Sequence, residues 1–103
     1  AMKFNVWEEL DGKVTVIECP NRLDASIADE FKKMMSDLVD QGKFRLVVDM
    51  GKTSFIDSSG LGSLVSRIAA IRANQGDIHL ASPSATIIKL LEMTHLDQIF
   101  KLF

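Results

Sequence analysis

The spacing of apolar and polar positions changes several times along this chain, and each change marks an element. Residues 4–10 alternate weakly and predict a strand. Asp11-Gly12 is a hairpin signal, and residues 14–19 predict the partner strand. Pro20-Asn21-Arg22 breaks the pattern. Asp24 then suits the cap of a helix running from residue 25 to about 41, with Gly42 as the stop. Ile27, Ala28, Phe31, Met34, Met35, Leu38 and Val39 recur at helical spacing and predict its buried stripe. Residues 44–50 form a nearly continuous apolar, β-branched run, as expected of an interior strand buried on both faces. A second helix is predicted from about 59 to 74, with Leu61, Leu64, Val65, Ile68, Ala69 and Ile71 inward, and a short strand at 78–81. Ser82-Pro83 opens a third helix, because proline at a first-turn position lacks only an N–H that would be unpaired there anyway. Its packing positions are Ile87, Ile88, Leu90 and Leu91, with Met93 at the end of the stripe. Thr94-His95 ends that helix, and residues 96–103 predict a turn and a short last strand or helix.

The order is therefore ββαβαβα with a short tail, an α/β chain with a mixed sheet of four to five strands. Strand–helix–strand alternation implies right-handed crossovers and parallel pairing, while the opening hairpin adds an antiparallel edge. Three amphipathic helices can cover one face of such a sheet or both. No repeat, linker or low-complexity stretch divides the 103 residues, so residues 1–103 read as a single domain. Ala1 ahead of Met2 reads as a residue added before the native start. The stop at Phe103, directly after an apolar run, reads as a chain lacking a few native residues.

Composition narrows the function. An apolar fraction of 47% with 25% charged residues is that of a globular domain able to bury one core but with little room for a deep cleft. The net charge of −2 is spread without a basic block, which argues against direct binding to nucleic acid. No apolar run approaches the ~20 residues of a membrane helix, and no signal peptide is visible, so no membrane insertion is expected. Cys19 stands alone in an apolar run; a lone buried thiol suits a reducing, cytoplasmic setting. His79, His95 and the scattered acids form no metal-ligand pattern, and Gly60-Leu61-Gly62 lacks the further glycine and the lysine of nucleotide loops. Neither a metal nor a cofactor is expected.

The segment Ser54-Phe55-Ile56-Asp57-Ser58-Ser59-Gly60-Leu61-Gly62 lies between a predicted strand and a predicted helix. Helix starts leave four N–H groups unpaired with a partial positive charge behind them, a setting that favours an anion. Three readings compete. Asp57 or Ser58 is simply a helix cap, with Gly60 easing close packing. Alternatively, Ser58 is a catalytic nucleophile. That requires His79 or His95 as base, and the Gly-x-Ser-x-Gly pattern is absent because Ile56 precedes Ser58 by two. Or Ser58 is a phosphorylation site, where a phosphate would gain from the helix dipole while crowding Asp57. In the last case the added charge acts by repelling a partner rather than by rearranging the fold.

Arg22-Leu23-Asp24-Ala25, the strand Leu46-Val47-Val48-Asp49-Met50, the motif Phe55-Ile56-Asp57-Ser58-Ser59-Gly60-Leu61-Gly62, and the ending from Leu90-Leu91-Glu92-Met93 to Gln98-Ile99-Phe100 appear in one chain in this order. Together they resemble the STAS domain of bacterial anti-sigma factor antagonists over nearly the whole length. The resemblance implies a non-enzymatic, cytoplasmic binding protein. In its unmodified form it would hold an anti-sigma factor that is also a serine kinase, releasing the sigma factor. Phosphorylation at Ser58 would end the binding, and a PP2C-type phosphatase would restore it. By position, Asp57 would present Ser58 and Ser59 would be a neighbour. Gly60, Leu61 and Gly62, with Asp24, Ala25 and Ser26 nearby, would belong to the docking surface. Asn21 stands where many relatives carry glycine, and asparagine also tolerates a left-handed backbone. STAS domains also serve as subunits or modules of lipid and anion transport systems and of stress-signalling assemblies, which is the alternative assignment.

Overall fold

The computed structural model describes residues 4–102; the expectations for Ala1, Met2, Lys3 and Phe103 lie outside the described residues. Strands β1 (Val6–Glu9) and β2 (Val14–Glu18) form the predicted hairpin. The connection is wider than a two-residue turn: Leu10, Asp11 and Gly12 all take positive φ, and the Lys13 amide donates to the Leu10 carbonyl. A short β3 (Arg22–Leu23) precedes α1 (Ala28–Asp40), which is followed by β4 (Arg45–Asp49). Then come β5 (Phe55–Ile56), α2 (Ser58–Val65), α3 (Ile68–Ala73), β6 (Asp77–Ala81) and α4 (Ala85–Met93). A 3₁₀ turn (Leu96–Gln98) and β7 (Lys101–Leu102) complete the described chain.

The main sheet has the order β1-β2-β4-β6-β7, antiparallel at β1–β2 and parallel at every other pairing. Each crossover from β2 onward steps to the neighbouring strand in the same direction. Right-handed crossovers then put all the helices on one face. Burial follows this alternation. Ile17, Leu46, Val48, Ile78 and Leu80 point to the helices and are buried, together with Phe31, Met35, Leu64, Ile71, Ile87 and Leu91. Val16, Val47 and His79, aligned across the strands, point the other way and are only half-buried. The expectation that β4 is buried on both faces is thus corrected: its valine-rich run meets a helix layer on one side only.

Several helix expectations also change, and Pro83 lies ahead of the Ser84 cap of α4 rather than in its first turn. The helix predicted from about 59 to 74 is two helices broken at Ser66 and Arg67. Ser63 Oγ donates to the Gly60 carbonyl and Ser66 Oγ to the Ser63 carbonyl, so serine hydroxyls bond back onto the turn that precedes the break, a pattern associated with bent helices. The break changes the phase, leaving Ala69 exposed while Ala70 packs on the core. The first helix begins at Ala28 rather than at residue 25, because residues 25–27 form a separate turn closed on the Asp24 carbonyl. Met93, at the end of the α4 stripe, is 72% exposed and does not pack.

Cys19 is fully buried, and burial pushes its thiol up to about 11. The thiol is therefore protonated at neutral pH and shielded. Iodoacetamide at pH 8 is expected to leave the native protein unlabelled and to alkylate it fully in urea, as read by intact mass.

Candidate functional site

Two segments distant in sequence are fastened side by side. β3 and β5 pair in parallel, Arg22 opposite Phe55 and Leu23 opposite Ile56. Ahead of that pairing, the Thr53 hydroxyl donates to the Pro20 carbonyl and the Ser54 hydroxyl donates to Asn21 Oδ1 at 2.6 Å. The Ser54 and Phe55 amides both donate to the Asn21 carbonyl. Asn21 does not adopt positive φ; it acts here as a latch with both of its oxygens. Beyond the pairing, the Asp57 amide donates to the Leu23 carbonyl at 3.3 Å.

Asp57 is the cap of α2, with extended backbone (φ −101°, ψ −175°). Its Oδ1 accepts the Gly60 amide at 2.9 Å, the usual cap bond three residues on. Its Oδ2 accepts the Ala25 amide, also at 2.9 Å. One carboxylate thus starts α2 and holds the turn that follows β3. Asp24 organises that turn from the other side. Its Oδ1 accepts the Ser26 amide at 3.0 Å and the Ser26 hydroxyl at 2.5 Å, and its Oδ2 accepts Arg22 Nε at 3.4 Å. The Ser26 hydroxyl first, then the Ser26 amide and Arg22, hold the Asp24 carboxyl below the usual carboxylate range against the opposing effect of desolvation. A depressed carboxylate stabilises the turn above its unfolded pKa. That support is lost only as pH falls through the lower folded value.

The expected site residues are brought together by this framework. Ser58 occupies the first position of α2, exposed, and its hydroxyl has no hydrogen-bond partner among the described residues. Ser59 is also exposed, whereas Gly60 is buried and Leu61 half-buried. The Leu61 amide bonds the Asp57 carbonyl and the Gly60 amide bonds the Asp57 carboxylate, which leaves the Ser58 and Ser59 amides as the donors without a partner at the helix start. Gly62 lies four residues after Ser58 and so on the same helix face. Ala25 and Ser26 are exposed across the Asp57 bridge.

The two glycines differ in what they do. A Cβ at Gly60 would sit 2.0 Å from the Leu23 carbonyl oxygen, so only glycine lets α2 lie against the end of β3. A Cβ at Gly62 would meet nothing within 4 Å. Glycine inside a helix is destabilising by roughly 0.5–1 kcal/mol relative to alanine, and none of the described residues requires it at position 62. It leaves a flat patch of helix surface beside Ser58.

A hydrolase arrangement is not assembled. No imidazole hydrogen-bonds Ser58. His79 lies on the sheet face turned away from the helices, and His95, at positive φ, links α4 to the 3₁₀ turn. Among the described residues no three His, Cys, Asp or Glu side chains come together as a metal site, and no helix is long and apolar enough to cross a membrane. Besides the Asp57–Ala25 bridge, the Asn21 latch and the opposition of Arg22 to Phe55 escaped the sequence reading. Strands of two residues carry no periodicity from which either can be read.

Gly60→Ala is expected to destabilise the fold by about 1–3 kcal/mol or more through overpacking, whereas Gly62→Ala should stabilise it by about 0.5–1 kcal/mol; urea unfolding of the two variants distinguishes the two roles. Asp57→Ala removes both the cap and the bridge. It is expected to destabilise by about 1–2 kcal/mol and to speed hydrogen exchange at the Ala25 amide in particular, measured by NMR.

Comparison with known proteins agrees with this architecture. The model of the STAS domain family matches residues 8–103. An anti-sigma-B factor antagonist of Staphylococcus aureus is 24% identical over 98 residues, covering 95% of this chain and 91% of that protein. The crystal structure of a Thermotoga maritima protein assigned as an anti-sigma factor antagonist superposes with a TM-score of 0.86 at 29% identity, covering 96% of this chain and 84% of that one. The phosphorylated form of the Bacillus cell fate determinant SpoIIAA superposes with a TM-score of 0.74 at 25% identity, covering 97% and 90% of the two chains. With the mixed sheet, the crossover helices and the Asp-Ser-Ser-Gly helix start all in place, the chain belongs to the STAS domain family.

Proposed function

We propose that this chain is an anti-sigma factor antagonist whose binding is switched by phosphorylation of Ser58. The observation that carries the reading is the exposed Ser58 hydroxyl, without a partner among the described residues, beside the open surface at Gly62. The hydroxyl can enter another protein's active site, and the bare helix surface lets that protein approach closely. In the unmodified state the surface formed by Asp24, Ala25, Ser26 and residues 57–62 binds an anti-sigma factor with serine kinase activity, which lets go of its sigma factor.

The kinase then transfers the γ-phosphoryl group of ATP to Ser58. The serine oxygen forms the new P–O bond, ADP leaves, and the hydroxyl proton goes to a base on the kinase. Asp57 is not needed as that base: each of its oxygens accepts a backbone amide and holds the helix start. Its role in presentation is to fix the helix start that carries Ser58. The phosphate brings about −1.5 to −2 charges. The Ser58 and Ser59 amides are available to it, so the fold has no need to rearrange. Instead the new charge faces the bound partner, and a mismatched interfacial charge costs several kcal/mol, about 10²-fold or more in affinity. A PP2C-type phosphatase resets the surface by hydrolysis.

The test combines the chain with ATP and the source organism's purified anti-sigma-type serine kinase. Phosphate is expected on Ser58 by mass spectrometry and to be absent from Ser58→Ala. In calorimetry Ser58→Ala should bind the kinase as tightly as wild type, and Ser58→Asp about 100-fold more weakly. Equal binding by all three proteins removes Ser58 from control. Co-purification with a transporter or lipid-transport subunit in place of the kinase moves the chain to the alternative assignment.

A further inference from the structure

The parallel pair leading into the site has an outward face of its own. Leu23 and Ile56 point inward and are buried, so Arg22 and Phe55, opposite each other in the same register, point out. Phe55 is 40% exposed. The Arg22 guanidinium carbon lies 4.3 Å from the centre of the Phe55 ring, and Nε is held by Asp24 Oδ2. Even so, the Arg22 side chain is 58% exposed, and its two terminal nitrogens have no partner among the described residues.

A large apolar side chain on the solvent face of a two-residue strand contributes little to the core. This one is also braced: its strand is paired with β3 and its ring is stacked by Arg22. The Phe55 amide is tied to the Asn21 carbonyl, and the guanidinium is fixed between the ring and Asp24. Holding a side chain in place before contact lowers the entropy lost on binding. Aromatic residues and arginine are enriched in the buried centres of protein interfaces, and arginine among the few residues that carry most binding energy. Position supplies the occupant. Arg22 lies two residues before Asp24 and Phe55 two before Asp57, so the pair continues the surface formed by Asp24, Ser26 and Ser58.

Resting on the function proposed above, we infer that Arg22 and Phe55 form the recognition anchor for the same kinase-type anti-sigma factor. The ring takes an apolar side chain of that partner, and the free guanidinium nitrogens take one of its carboxylates, a two-pronged contact that lysine cannot reproduce. Recognition and switching are thereby divided between neighbours: the anchor holds the partner, and Ser58 decides whether it stays.

The experiment measures binding of the purified kinase to wild type, Phe55→Ala, Phe55→Leu, Arg22→Lys and Ser58→Asp by calorimetry, with urea unfolding as the control for folding. Phosphorylation kinetics are followed for all but Ser58→Asp. Phe55→Ala is expected to weaken binding about 30-fold and to raise KM for this chain while leaving kcat unchanged. Phe55→Leu keeps apolar bulk on β5 should the alanine variant unfold, and should weaken binding less. Arg22→Lys should weaken it about 10-fold through loss of the planar fork. Wild-type Kd and KM in Phe55→Ala, or in Phe55→Leu and Arg22→Lys together, alongside lost binding by Ser58→Asp, would overturn the anchor and leave the proposed function intact. No binding by wild type would remove both. A wild-type dimer in sedimentation that Phe55→Ala dissociates would reassign the pair to contact between two copies.

Discussion

The carboxylate of Asp57 accepts two backbone amides, one from Gly60 in the helix it starts and one from Ala25, 32 residues earlier. Most of the site depends on this bridge. The turn after β3 has no helical bond to offer the Ala25 amide, and the first turn of α2 has no earlier carbonyl for the Gly60 amide. One side chain answers both needs. It does so because β3 and β5 already run in parallel, which brings the ends of the two strands to the same place. Close approach at that point demands a residue without a side chain, and Gly60 supplies it against the Leu23 carbonyl.

The framework and the surface it presents follow different rules. Around Asp57 the polar groups are paired: Asn21 with Ser54, Thr53 with Pro20, Asp24 with Ser26. On the outward side the Ser58 hydroxyl has no partner among the described residues and Gly62 has open space above it. A helix-weakening glycine is hard to explain by stability alone, since alanine would suit the isolated helix better at position 62. Exposed Phe55 belongs with them. The paired part of the site therefore serves the fold, and the exposed part is the surface on which the proposed function rests.

A rigid frame also suits the kind of switch proposed. If phosphate had to move the helix, it would have to break the Asp57 bonds and the packing of Leu64 in the core. A charge placed on an outward-facing hydroxyl needs neither. It alters the surface potential where a partner would sit, and the fold remains as it was.

The strand and helix order, the mixed sheet, the hairpin edge and the buried stripe of α1 were legible in the sequence, because each is written in local periodicity or in turn residues such as Asp11-Gly12. So was the motif around Ser58, since an acid, two hydroxyls and a glycine before an apolar helical pattern mark a capped helix start. Other features were set by contacts between residues far apart. Helices cover only one face because three successive crossovers step in the same direction, which strand order alone decides. The Ala25 amide finds its partner in a carboxylate from position 57. Arg22 meets Phe55 only through the register of two strands too short to have a pattern. Periodicity reports which way a side chain faces within its own element; which neighbour it finds there depends on long-range pairing, and that exists only in the folded chain.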